Sequence, residues 1–329
     1  MSGNDNHFIR KIIETYKSDG FTCLIKRLVY ILIKEGAYFR TTRLNLDGQV
    51  SKKIDLSPLD LDCSGELFVN PHDNGFSKEF FIYGFREPLN TMMLYKTVEK
   101  KKPIVLDIGS NLGYFPIVEL EAGAKHVIAV EPLPPTYHYL TKNLSGYKNV
   151  TTLNMAVSDK EEDLKLYIPN ARNNTSASLP ILLNAGFKIV KEITVKAVSV
   201  SKIAEQYPIE MLRMDVEGHE YKILSNSIPD TVETISIELH VLPPNGRTKA
   251  AKLLNHLDEH GFQATFVINE MKYGFYPFIK LLGLKRTYTY GNRLTEGNLE
   301  GPNIRKNIEL KQLADELQEK NLIHLNLER

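Results

Sequence analysis

The chain is poor in cysteine, in net charge and in long apolar runs. Its two cysteines, Cys23 and Cys63, lie far apart and outside any CxxC or Cys/His spacing. Neither a disulfide framework nor a structural zinc site is indicated, and a reducing, cytoplasmic setting fits. Lys and Arg number 41 against 40 Asp and Glu, a formal net charge of +1. No overall field draws such a chain to phosphate backbones, so nucleic acid is not the expected partner. The longest early apolar run, Leu28 to Ile33, is too short to span a bilayer. The N-terminal stretch lacks the basic region, apolar core and small-residue cleavage site of a secretory signal. Internal repeats and low-complexity tracts are absent as well.

What is present is an ordinary globular composition, 42% hydrophobic and 25% charged over 329 residues, enough for one main domain with additions. Residues 7–40 recur in apolar type at three- and four-residue steps and read as helical. Lys26, Arg27, Lys34, Arg40 and Arg43 around that face allow peripheral membrane contact through residues 21–43, although packing on the main domain is the commoner fate. Residues 44–85 mix short β-like pieces with turns. "EFFIYGFREP" is rich in strand-forming aromatics, and Pro88 then opens a helix to Lys100.

From Pro103 the pattern changes. Apolar strands "IVLDIG", "HVIAVE", "VTTLNMAVS", "MLRMDVEG" and "TISIELH" alternate with helix-length segments at 114–122, 135–144 and 220–224. Continuous apolar strands separated by helices predict an α/β fold, a mostly parallel sheet covered on both faces. An amphipathic helix over 248–260 follows, and then "GFQATFVIN" and "RTYTYG" as last strands. The tail from Ile304 to Glu319 reads as a charged helix with Ile304, Ile308, Leu313 and Leu317 on one side, suited to packing at home or across a dimer. The organisation expected is an N-terminal helical and β cap over 1–100, a main domain over 101–295 and a helical tail over 296–329.

Ligands of a doubly wound sheet bind at the carboxyl ends of its strands, where the connections change direction. Asp107, Gly109, Asn111 and Gly113 form D-x-G-x-N-x-G at the first such end. The glycines let the backbone turn sharply, and the following helix offers free N–H groups. Eighteen residues after Gly113, Glu131 ends "HVIAVE", where a carboxylate can accept from both hydroxyls of a ribose. Dinucleotides call for G-x-G-x-x-G, which "GSNLGY" does not supply. D-x-G-x-x-x-G with an acidic strand end suits S-adenosylmethionine, whose amino acid portion needs a polar turn and no phosphate cradle.

The third strand end places Ser158 and Asp159 where an adenine would lie. The fourth, "RMDVEGHEYKIL" over 213–224, crowds Asp215, Glu217, His219 and Glu220 around Gly218. Carboxylates so crowded are costly unless they serve protons, cations or hydrogen-bond donors. With "DIGSNLGY", "AVEPLPPTYHYLTKNL", "NMAVSD", "MLRMDVEGHEYKIL" and "ISIELH" in order over about 104–240, the chain resembles the FkbM family of S-adenosylmethionine-dependent methyltransferases. The D-V-E-G-H-E segment is the specific part. The resemblance implies a Rossmann-like class I methyltransferase fold and methyl transfer to a hydroxyl oxygen of a sugar, glycan, glycolipid or small natural-product acceptor.

Such a transfer needs the acceptor oxygen aligned with the methyl and a group to take its proton. Asp215, Glu217, Glu238 and His240 are the candidates, with Asp215 first as base or positioning group and Glu217 second. For His219 and Glu220, helix capping or an ion pair with Arg213 is an equal alternative. Asp215, Glu217 and Glu238 could converge on Mg²⁺, yet nothing in the spacing requires a metal, and none is expected as obligatory. The competing functions are an RNA (tRNA) methyltransferase, a non-catalytic nucleoside-binding protein of the same fold and a dehydrogenase.

Overall fold

A computed structural model describes residues 50–70, 76–169, 189–225, 228–242, 245–268, 293–295, 298–300, 304–318 and 322–329. The helix expected over 7–40 with its membrane contact, the polar segment 170–180 and the strand "RTYTYG" lie outside the described residues. Strands β1 (Val50–Lys53) and β2 (Glu66–Val69) pair antiparallel ahead of helices α1 (Phe76–Tyr83) and α2 (Pro88–Lys101). Then β3 (Ile104–Ile108), α3 (Tyr114–Glu121), β4 (His126–Val130), α4 (Pro134–Leu144) and β5 (Val150–Leu153) alternate. A side sheet follows, from β6 (Ala156–Ser158), β7 (Glu162–Pro169) and β8 (Ile189–Ser199). The chain returns through α5 (Val200–Ala204), β9 (Met211–Met214), α6 (Glu220–Ile223), β10 (Thr234–His240), α7 (Gly246–Glu259) and β11 (Gln263–Ile268). It closes with the hairpin β12 (Arg293–Thr295) and β13 (Asn298–Glu300), then β14 (Ile304–Ile308), α8 (Leu310–Glu316) and β15 (Leu322–Glu328).

The central sheet has the order β14-β11-β15-β10-β9-β3-β4-β5. The run from β10 to β5 is parallel, and β15 is antiparallel to both β10 and β11. This is a mostly parallel, doubly wound, Rossmann-like α/β sheet. The parallel strands are apolar on both faces because both faces are covered. On β3 and β4, Val105, Val127 and Ala129 enter one core with the cap and α3, while Leu106, Ile108, Ile128 and Val130 enter the other with α7. From β3 the chain builds outward through β4 to β5, and it then crosses back to β9 on the other side of β3. That reversal sets the crevice between the carboxyl ends of β3 and β9.

Two local expectations are corrected. The aromatic run "EFFIYGFREP" is largely helix α1, not strand. Phe76 and Phe80, one helical turn apart, pack their rings on Tyr114, so tertiary burial overrides β propensity. The helix expected over 304–319 is confined to Leu310–Glu316, because Ile304–Ile308 is an edge strand paired with β11. Moreover, Leu322–Glu328 is a strand inside the main sheet, so this segment is integral to the domain and not an appended helix. Its polar residues conceal it: His324 and Asn326 are as buried as Leu325 and Leu327, and Asn326 Nδ2 donates to Thr265 Oγ1 at 2.8 Å. Among the described residues no helix is long and apolar enough to cross a membrane.

Candidate functional site

The turn after β3 is held from two sides. The N–H groups of Gly109 and Ser110 both donate to Val130 O at 3.0 Å, fastening it to the end of β4. Gly109 has φ +83°, and a Cβ there would lie 2.0 Å from Asp215 O, so only glycine fits where the loops after β3 and β9 meet. Asn111, also at positive φ, donates its backbone N–H to Glu131 Oε2 at 3.1 Å, while Leu133 N–H donates to Oε1 at 2.9 Å. Gly113, at φ +96°, starts α3. Glu131 is only 6% exposed. Burial pushes its carboxyl up to about 7 against the pull of those two N–H groups.

Asp107 is fully buried and supports the turn from beneath. Its Oδ1 accepts from Ser110 Oγ at 2.8 Å and lies 3.5 Å from Arg213 Nη1. Arg213 is the cation at the centre of the crevice. It also donates to Gly109 O at 3.3 Å, lies 3.4 Å from Asp215 Oδ2 and stacks over the Phe115 ring at 4.1 Å. Glu119, fully buried on α3, is pushed well above the usual carboxylate range by burial and then by the Asp107 charge. Sequence reasoning missed Glu119, since a lone Glu in a short helix looks like an exposed residue.

Beyond β5 the chain turns into the side sheet. Ser158 is fully buried, with Oγ 2.9 Å from Glu162 Oε1 and 3.3 Å from His219 Nε2. Asp159 pairs with Lys222 at 3.2 Å, and Lys222 also bridges to Glu162. Ser158 thus faces inward, its Oγ also donating to Asp159 Oδ1 at 3.1 Å. His219 joins this contact and is not an Arg213 partner.

At the ends of β9 and β10, Asp215, Glu238 and His240 bring ligand-type atoms within 4.8 Å of one another. Burial, offset in part by Arg213, lifts Asp215 to about 6. Glu238 is raised well above the usual carboxylate range by burial and then by Asp215. Burial disfavours charge on His240. Even so, Glu217 at 3.4 Å from Nε2 and Glu220 at 2.8 Å from Nδ1 carry it up to about 12. The two carboxylates thus favour the imidazolium form of His240. Glu220, fully buried, accepts from Gly218 N–H and His240, so its expected pairing with Arg213 is also replaced. Glu217, at φ +51°, leans out from this group with 40% of its side chain exposed.

Two residues that sequence reasoning did not select close the same pocket. Glu87, at φ +38° just before Pro88, and His324 of β15 lie within 4.8 Å of Glu238 and of each other by their ligand-type atoms. Only the sheet order could reveal His324, because β15 pairs it directly with Glu238, while Glu87 arrives from the residue before α2.

With this geometry in place, residues 107–264 match the methyltransferase FkbM domain. None of the curated proteins matches the chain. Among solved structures, the FkbM methyltransferase from Methylobacillus flagellatus KT shares 12% identity over 42% of this chain and 32% of its own, with a TM-score of 0.28. The ribosomal protein L11 methylase from Lactobacillus delbrueckii subsp. bulgaricus shares 10% over 74% and 80%, with a TM-score of 0.35. The tRNA (m1A58) methyltransferase TrmI from Aquifex aeolicus shares 13% over 74% and 69%, with a TM-score of 0.35. The segment 107–264, which holds the glycine turn, Glu131 and the D-V-E-G-H-E loop, is thus an FkbM-type methyltransferase domain by its match to that family's model.

Proposed function

We propose that the protein is an S-adenosylmethionine-dependent O-methyltransferase acting on a hydroxyl of a sugar, a glycan or glycolipid, or a small natural product. The observation that carries this reading is the meeting, across the crevice, of a buried ribose-type acceptor, Glu131, with a carboxylate-rich pocket at Asp215. The residues present fit the cofactor. Each Glu131 oxygen accepts one backbone N–H and keeps a lone pair for a ribose hydroxyl. Glu131, the Gly109–Gly113 turn and Asp159 would hold it. When bound, it supplies an electrophilic methyl on a sulfonium.

The chain's own residues do the rest. Asp215, mostly ionised at neutral pH, takes the acceptor hydroxyl proton, and Arg213 at 3.4 Å keeps that carboxylate oriented. Glu238 faces the same pocket beside Asp215, where it can contact the acceptor. The His240 imidazolium is balanced by Glu217 and Glu220 and fixes the loop after β9. The acidic rim of this pocket opposes a phosphate-bearing acceptor, which favours a neutral hydroxyl compound over RNA.

The test is to incubate the protein with methyl-labelled adenosylmethionine and a cell extract and to identify what acquires label. A labelled ether on a glycan, glycolipid or small molecule is the expected result. Label in tRNA would overturn the acceptor class, and a folded protein with no calorimetric affinity for adenosylmethionine would overturn the cofactor.

A further inference from the structure

We infer that Glu87, Glu238 and His324 form a divalent-cation site at the acceptor end of the crevice. Each offers one ligand-type atom, a carboxylate oxygen from each glutamate and a ring nitrogen from His324, and these lie within 4.8 Å of one another. Separations of that order are what three ligands around a shared ion require, since bonds of about 2.0–2.2 Å place neighbouring ligand atoms roughly 3 Å apart after a small inward movement of the side chains.

The cluster is more than a group of acids. His324 is 2% exposed, and its Nδ1 has no hydrogen-bond partner. A buried imidazole nitrogen without a partner is costly, and a ligand is one way to satisfy it. The three residues come from separate elements. Glu87 enters from the cap just before α2, where Asn90 Nδ2 donates to its Oε2 at 2.9 Å and Arg86 lies 3.5 Å from Oε1. Glu238 and His324 face each other across the β10–β15 ladder. Glu238 also belongs to the group with Asp215 and His240, so an ion held here would adjoin the proposed proton acceptor.

Two carboxylates and one imidazole suit a first-row divalent cation, because imidazole favours the borderline metals and carboxylate the harder ones. Three protein ligands leave positions open, and an acceptor with two neighbouring oxygens, such as a sugar diol, could fill them and be oriented and acidified there. This role in transfer rests on the methyltransferase reading above. Ion binding itself does not.

The experiment uses Mn²⁺ as the probe on the full chain after chelator treatment, followed by equilibrium dialysis with elemental analysis and by electron paramagnetic resonance. One Mn²⁺ per chain is expected, with affinity falling at least tenfold in Glu87→Gln and in Glu238→Gln, while circular dichroism shows both variants folded. Because His324→Asn changes a buried residue, Glu87→Gln at the start of a helix is the decisive variant. No Mn²⁺ bound at millimolar concentration, or equal binding by Glu87→Gln and the unaltered chain, overturns the site. Calorimetry with adenosylmethionine on the same samples separates the two claims. Cofactor binding without Mn²⁺ overturns only the ion, and Mn²⁺ binding without cofactor affinity overturns only the methyltransferase reading.

Discussion

The backbone N–H of Asn111 donates to Glu131 Oε2 at 3.1 Å, tying the glycine turn after β3 to the acidic tip of β4. The same carboxylate is to accept a ribose, so ligand binding and loop order are linked through one side chain. Glu131→Ala should weaken adenosylmethionine binding about tenfold or more, the value of a charge-assisted hydrogen bond. Isothermal titration calorimetry measures it, and an unchanged affinity would remove Glu131 from the cofactor site.

The same residue gives a pH dependence of known sign. Its folded value of about 7 lies above the unfolded 4.5, so the folded state binds more protons between these limits and stability falls as pH rises from 4.5 to 7. The difference is on the order of 3 kcal/mol for this fully buried group. Glu131→Gln should flatten that part of the stability profile in urea titrations, and cofactor affinity should rise with pH through about 7 in the unaltered chain alone.

Gly109→Ala places a Cβ 2.0 Å from Asp215 O at a positive φ. Left-handed strain of about 1–2 kcal/mol and overpacking of about 1–3 kcal/mol act together. Thermal unfolding should show a loss on the order of 3 kcal/mol, and a variant as stable as the parent would mean that the two loops part easily.

Asp215→Asn should slow transfer about 10²- to 10⁴-fold and leave adenosylmethionine affinity nearly unchanged. In the parent, transfer should rise with pH through about 6, as the Asp215 carboxyl ionises. A rate that does not respond to this substitution would shift the base to Glu217.

Arg213→Met leaves Asp107 and Asp215 facing each other without the cation they share. Breaking such a buried pairing costs about 3–5 kcal/mol. The loss should appear in chemical denaturation before any activity is measured.

The parallel half of the sheet was legible because each βα unit carries its own local signature. Apolar strands, the bend at Gly109 and Gly113, and the prolines opening α2 and α4 need no distant partner to be recognised. The antiparallel half was not. His324 and Asn326 break the apolar run of β15 and are explained only by Glu238 and Thr265 on neighbouring strands. Ile304 and Ile308 are four residues apart in a strand and mimic a helical face. Protonation was equally hidden, since His240 carries its charge only because Glu217 and Glu220 arrive from the preceding loop and α6.

The insertion of β15 between β10 and β11 has a bearing on biosynthesis. The edges of β10 and β11 that β15 pairs in the finished sheet have no native partner until residues 322–328 are synthesised. A stalled chain ending near residue 303 should therefore recruit chaperones and remain protease-sensitive, and the pocket gains His324 only when synthesis has passed that position.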